Sequence, residues 1–327
     1  MDLPNRPYME DSNLPSHNVM VVIPAYRVEK YISTVIARVP PFVRKVIVVD
    51  DHSPDSTGEL LDRLSCHDPR LVVIHHEANK GVGGATKSGY LEALRAGADV
   101  IVKIDGDGQM NPQYIESLVA PILSRLADYT KGNRFYDWSY LESMPFHRKI
   151  GNFGLSFLIK VASGYWSVFG PTNGFTAISR ETLLKLNFER LEQRYLFESS
   201  MLLELYKLNA LIQQVPMRAI YNDEISSLSI RRSLIEFPCY LFRGLVRRFI
   251  DRYVWQDFTA VSVFVILGLL SLAFGSIFGA YHWVKSLQTM QPATAGTVML
   301  SAMPIILGFQ LLLEAIVLDI QNVPKRD

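Results

Sequence analysis

The run Val100-Ile-Val-Lys-Ile-Asp-Gly-Asp-Gly-Gln109 constrains this chain more than any other. Its apolar, β-branched residues predict a buried strand over Val100–Asp105. A strand covered on both faces belongs in a parallel sheet sandwiched between helices. The neighbouring sequence agrees. Val19–Pro24, Lys45–Asp50 and Leu71–His75 read as further strands, with helical patterns near Glu29–Arg38, Ser56–Leu64, Gly84–Arg95 and Pro112–Leu126. Repeated strand–helix units of this kind predict an α/β domain with a mostly parallel sheet. In such sheets ligands gather at the C-terminal strand ends, where Pro24, Asp50, Asp51 and Asp105 fall.

The chain changes character after about Ser226. Arg231–Arg252 interleaves six arginines (Arg231, Arg232, Arg243, Arg247, Arg248, Arg252) with Leu234, Phe237, Leu241, Leu245 and Phe249 at three- and four-residue spacing. That pattern predicts a basic amphipathic helix suited to a membrane interface, and Pro238 predicts a kink or two short helices. Phe258–Trp283 then carries no Asp, Glu, Lys or Arg, and it exceeds the roughly 20 apolar residues that cross a bilayer. A second span, from about 294 to 318, includes Glu314 and is followed by Asp319. Glu314 reads either as a group needing a partner, such as a subunit interface, or as a boundary residue that snorkels.

The expected organisation is therefore a flexible tail over 1–18, an α/β domain over 19–230, juxtamembrane helices over 231–256 and a transmembrane hairpin over 257–327. The tail lacks the basic start and apolar core of a signal peptide. Arginines flank the first span, Lys325 and Arg326 follow the second, and only Lys285 lies between. This bias predicts both termini in the cytoplasm. Two distant cysteines, Cys66 and Cys239, form neither a disulfide framework nor a zinc spacing. A formal net charge of +1 gives no footprint for a nucleic acid.

Several short motifs carry chemistry. Asp105 and Asp107, one residue apart with glycines between and after, make an oxygen-rich turn that suits a hard divalent cation holding a diphosphate. Val21-Val-Ile-Pro-Ala-Tyr26 ends a strand in a proline turn, where a backbone edge and an aromatic ring can hold a nucleobase. In Val48-Val-Asp-Asp-His-Ser53, Asp51 reads as a ligand contact, whereas Asp50 reads equally as a turn cap. Asn79-Lys-Gly-Val-Gly-Gly-Ala-Thr86 opens a helix with glycines. The amides at such a start, Gly81 among them, can bind phosphate, and close helix–sheet packing explains the glycines as well.

Taken in order, these motifs resemble those of the family 2 glycosyltransferases with the GT-A fold. Gly132-Asn-Arg134, Pro171-Thr-Asn-Gly-Phe175 and the C-terminal hairpin extend the likeness to the polyprenyl-phosphate glycosyltransferases of the dolichol-phosphate mannose synthase kind. The resemblance implies nucleotide-sugar contacts at Pro24, Tyr26, Asp51 and Asp105, and a Mg²⁺ or Mn²⁺ site on Asp105, Asp107 and Gln109. It also implies acceptor-phosphate arginines at Arg134 and Arg148, since a guanidinium fork matches phosphate. The expected reaction is inverting sugar transfer from a nucleotide-diphospho-sugar to a polyprenyl monophosphate at the cytoplasmic membrane face, with homo-oligomers possible. A processive polysaccharide synthase would carry Gln-x-x-Arg-Trp and more spans, and neither occurs here. A non-catalytic scaffold of the same fold has no need of Asp105, Asp107, Gln109 and Arg134. Two departures stand out. Gly170 and Thr176 occupy positions where relatives often have an acidic and a basic residue, and Phe197-Glu-Ser-Ser-Met201 has Ser200 where relatives have Asp.

Overall fold

A computed structural model describes residues 17–134, 146–170, 173–217 and 230–325, with side chains for all of these except 146–150, 152 and 230–236. The described chain divides into two compact units. One holds the residues up to Ser163 and Ser167–Phe242, and the other holds Gly164–Trp166 and Arg243–Val323. The tail expected at the N-terminus falls almost wholly outside the described residues.

The first unit begins with β1 (Val19–Ala25), α1 (Ile32–Ala37), β2 (Lys45–Asp50), α2 (Thr57–Ser65), β3 (Leu71–His75), α3 (Gly81–Arg95) and β4 (Val100–Lys103). After a 3₁₀ turn come α4 (Ile115–Leu123), β5 (Tyr129–Asn133), α5 (Phe146–Ser163), β6 (Thr176–Ser179), α6 (Arg180–Lys185), α7 (Phe197–Lys207) and β7 (Ile212–Pro216). The strands predicted from sequence are present, and β4 ends at Lys103, two residues earlier than expected, with the turn beginning at Gly106.

These strands form one seven-stranded sheet in the order β3-β2-β1-β4-β6-β5-β7. β1 pairs in parallel with β2 and β4, β2 with β3, and β5 with β7. β6 alone runs antiparallel, wedged between β4 and β5. Every residue of β1 and β4 is buried, which is why those runs lack polar alternation. Each fully buried Val or Ile there contributes roughly 1.5–3 kcal/mol of hydrophobic stabilisation. The chain winds one way from β1 to β2 and the other way to β4, so the switch point lies beyond the ends of β1 and β4.

The C-terminal helices are α8 (Ile230–Ile250), a π-helical turn over Asp251–Gln256, α9 (Ala260–Thr289) and α10 (Ala295–Gln321). α8 is one helix with Pro238 inside it, so of the kink or two short helices expected from sequence, the division into two does not occur. α9 and α10, at 30 and 27 residues, are long and apolar enough to cross a membrane. At 1.5 Å per residue they reach roughly 45 and 40 Å, against a hydrocarbon core of about 30 Å. Their axes approach closely at glycines: a Cβ on Gly308 would meet the Gly268 carbonyl at 2.7 Å, and Ser301 Oγ donates to the Gly275 carbonyl at 3.0 Å.

Inside this second unit, Asp319 is buried and fully bonded. Arg248 donates to both its oxygens at 2.7 and 2.9 Å, Tyr253 Oη donates at 2.6 Å, and Trp166 Nε1 at 2.9 Å. Glu314, by contrast, is exposed, with Gln310 Nε2 3.5 Å away.

Candidate active site

The acidic turn follows β4 directly. Gln109 N–H donates to Asp107 Oδ1 at 2.9 Å, and Gly108 sits at φ +74°, a left-handed position that closes the turn. Asp105, Asp107 and Gln109 are all partly exposed. Asp105 Oδ1 lies 2.8 Å from Lys103 Nζ as a charge contact, yet it accepts no hydrogen bond of good geometry.

Lys103 was not among the residues expected here. It is fully buried, and Glu198 Oε1, in the first turn of α7, accepts from its ammonium at 2.9 Å. Burial alone would push this lysine down, but the carboxylates of Asp105 and Glu198 override it and hold the ammonium above the ordinary lysine range. The strand register explains its neighbours. Thr176 of β6 pairs with Lys103 on one side and with Lys131 of β5 on the other. Lys131, also buried, donates to the Asn173 carbonyl, and burial pushes its pKa down to about 7. Burial likewise raises the Tyr90 phenol to about 12.

Asn173 and Gly174 complete this corner. The Asn173 amide donates to the Gly132 carbonyl at 2.6 Å and its Oδ1 accepts from Phe175 N at 3.2 Å, tying the entry of β6 to the end of β5. A Cβ on Gly174 would collide with Lys103 Nζ and stand 2.6 Å from Asp105 Oδ2. Arg134 follows β5 directly and is partly buried. Arg148 lies within α5, and its side chain is outside the described residues.

The β1 and β2 ends are arranged differently from each other. Pro24 is buried in β1, and Tyr26 just beyond is 42% exposed with the Arg27 guanidinium 5.3 Å above its ring. Arg27 and His52 both hold positive φ, at 57° and 58°, so backbone strain collects at these strand ends. Asp50 behaves as a cap: it accepts from Ser53 N at 3.1 Å and contacts His75 Nδ1 at 3.1 Å. With Asp62 on its other nitrogen, and Asp50 assisting, His75 is held above the usual imidazole range.

Asp51, expected to meet a ligand, is buried and already bonded. It accepts from Lys80 N at 2.8 Å, Gly81 N at 2.7 Å and His76 Nδ1 at 2.7 Å. Two of those bonds fall on Oδ1 and one on Oδ2, so this carboxylate is largely occupied within the fold. The start of α3 is similarly occupied. The Gly81 amide serves Asp51, while the Gly83 and Gly84 amides both donate to the Gln193 carbonyl, at 2.7 and 3.1 Å. The glycines here admit the Glu192–Arg194 backbone, since a Cβ on Gly83 would stand 2.8 Å from the Gln193 carbonyl carbon. Close packing therefore accounts for this motif as the structure stands.

Among the described residues, no group of three or more His, Cys, Asp or Glu is placed to hold a metal. The turn offers two carboxylates and one amide oxygen, with Asp105 Oδ1 buried and short of hydrogen bonds. That donor set fits a hard dication that draws its remaining ligands from phosphate and water.

The sequence model of the family described as Glycosyl transferase family 2 matches residues 20–186, which spans β1 to the end of α6. The chain belongs to glycosyl transferase family 2. This family 2 glycosyltransferase is similar to the UDP-N-acetylglucosamine–dolichyl-phosphate N-acetylglucosaminyltransferase of Methanococcus voltae, at 33% identity over 218 residues, covering 63% of this chain and 86% of the relative. It is also similar to the polyprenol monophosphomannose synthase of Mycolicibacterium smegmatis, at 28% identity over 246 residues, covering 72% and 91%. Among solved structures, glucosyl-3-phosphoglycerate synthase from Mycobacterium tuberculosis, in complex with Mn²⁺, uridine diphosphate and glucosyl-3-phosphoglycerate, shares the glycosyltransferase's fold. The TM-score is 0.54 at 21% identity, covering 75% of this chain and 85% of that one.

Proposed function

We propose that this glycosyltransferase moves a sugar from a nucleotide-diphospho-sugar to a polyprenyl monophosphate, with inversion, at the cytoplasmic face of a membrane. One observation carries the reading. The carboxylate turn beyond β4 and Arg134 beyond β5 emerge at the same edge of the sheet, on either side of the antiparallel β6. The relatives' names support a lipid-phosphate acceptor, and so does this chain's own apolar surface. Phe153, Phe157 and Leu158 of α5 are exposed, and α9 and α10 are long, predominantly apolar helices.

Asp105, Asp107 and Gln109 would hold Mg²⁺ or Mn²⁺, which when bound neutralises charge building on the departing diphosphate. Pro24 and the exposed Tyr26 frame the nucleobase, and Asp51 holds the adjoining Gly81 backbone in place. Arg134 and Arg148 grip the acceptor phosphate through bidentate bonds. A phosphate monoester is already anionic at neutral pH, so it attacks without a general base. Positioning and charge compensation then supply the rate. With the apolar hairpin in the bilayer and both ends cytoplasmic, the basic face of α8 would lie against anionic headgroups.

The test is direct. Full-length protein in detergent is incubated with polyprenyl phosphate, Mn²⁺ or Mg²⁺, and a panel of radiolabelled uridine- and guanosine-diphosphate sugars. A label extractable into organic solvent, lost on chelation and on omission of the lipid, is expected. A water-soluble polymer, or no transfer from any donor, overturns the proposal.

A further inference from the structure

Two buried lysines lie in one cross-strand row, Lys103–Thr176–Lys131, on the face that leads to the acidic turn. Lys103 is shared by two carboxylates. Its Nζ is 2.8 Å from Asp105 Oδ1 and 2.9 Å from Glu198 Oε1. Glu198 is itself buried and cannot be a ligand of the turn while it holds the lysine. The charges of Lys103 and Glu198 largely offset one another, so the pair adds little net charge beside Asp105. Without Glu198, Lys103 would neutralise Asp105 outright. Without Lys103, a third carboxylate would stand uncompensated beside the other two.

We infer that Lys103 and Glu198 form a charge-setting pair for the acidic turn. Lys103 positions Asp105 and opposes a bare dication, while Glu198 shares the ammonium and offsets its charge, so that Asp105 can take up a cation arriving with a diphosphate. Gly174 belongs to the same device, because only a residue without Cβ leaves room for the Lys103–Asp105 contact. Cation binding in this protein is thereby coupled to nucleotide binding through a pair that touches neither. The inference rests on the proposed metal site at Asp105, Asp107 and Gln109.

The experiment measures Mn²⁺ binding to full-length protein by the loss of the free-ion electron paramagnetic resonance signal. Titrations are run with Mn²⁺ alone and with Mn²⁺ plus uridine or guanosine diphosphate. Glu198→Gln, which preserves shape, should weaken binding in the presence of nucleotide by about tenfold or more, the scale of one unit charge acting at a few ångströms. Lys103→Met should tighten binding of Mn²⁺ alone by a similar factor and so narrow the advantage conferred by nucleotide. Lys103→Arg should restore most of that advantage. If wild type binds Mn²⁺ and Glu198→Gln binds it equally, with only the thermal midpoint altered, the pair is merely structural and this inference fails alone. If wild type binds no Mn²⁺ with either nucleotide, the metal reading of the turn fails and takes this inference with it. Because Glu198→Gln is isosteric, it decides the question even if Lys103→Met does not fold.

Discussion

Arg248 and Asp319 meet through two parallel bonds, Nη1 to Oδ1 at 2.7 Å and Nη2 to Oδ2 at 2.9 Å, with both side chains almost wholly buried. Breaking a buried pair from one side strands a charge and costs about 3–5 kcal/mol. Arg248→Met should therefore lower the detergent unfolding midpoint sharply, and so should Asp319→Asn, because Arg248 keeps a buried charge and the amide offers one acceptor oxygen where Tyr253 and Trp166 use two. Replacing both partners with apolar residues should recover much of the loss. A midpoint unmoved by Arg248→Met would show that the pair contributes nothing to stability.

Asp107→Asn removes one of two carboxylates from the turn while keeping its size. Turnover should fall by about 10²–10³-fold, the loss typical of deleting one electrostatic contributor to a transition state. Released nucleoside diphosphate is the measure, with circular dichroism to check that the fold is intact. Retention of even a tenth of the activity would place the chemistry elsewhere.

Gly174→Ala tests the crowded corner. The new Cβ would stand 2.6 Å from Asp105 Oδ2 and collide with Lys103 Nζ. Overpacking of this kind costs about 1–3 kcal/mol. Activity should fall further than that stability loss explains, because the displaced group is a carboxylate of the turn. Wild-type activity in this variant would mean that the Lys103–Asp105 contact has no bearing on catalysis.

Lys131 gives a pH signature. Its folded-state pKa, near 7, lies below the ordinary 10.5, so the fold disfavours the charged form. The wild type therefore loses stability as pH falls from about 10.5 to about 7, and the loss levels off below that. Lys131→Met does not titrate, so its unfolding midpoint should gain on wild type across that window and hold a constant lead under it. A difference independent of pH would show that the lysine titrates normally.

Much of the α/β unit was legible because its strands are short apolar runs and its helices amphipathic. β2 and β3 even match residue for residue. Lys103 and Lys131 were missed for a physical reason. A lysine in a strand reads as solvent-facing unless its counter-charge is known, and Glu198 lies 95 residues away along the chain. The signal was present, since Lys103 interrupts the apolar Val100–Ile104 run. Asp51 and the α3 glycines show a different limit of sequence. Their types suit a ligand, and only the fold reveals that Lys80, Gly81 and Gln193 already occupy them. Pro238 predicted a break, yet α8 runs on through it. Nothing in the sequence around Asp319 points to Arg248, Tyr253 and Trp166, which the fold brings to it.

The reversed direction of β6 has an implication for how this scaffold can diversify. A strand threaded backwards starts where its neighbours finish, so Asn173–Phe175, just ahead of Thr176, lie between the ends of β4 and β5. Lengthening or recolouring that one connector can retune selectivity on two sides while every hydrogen-bonded rung stays in place. Descendants of such a chain would be free to change cargo without relearning how to fold.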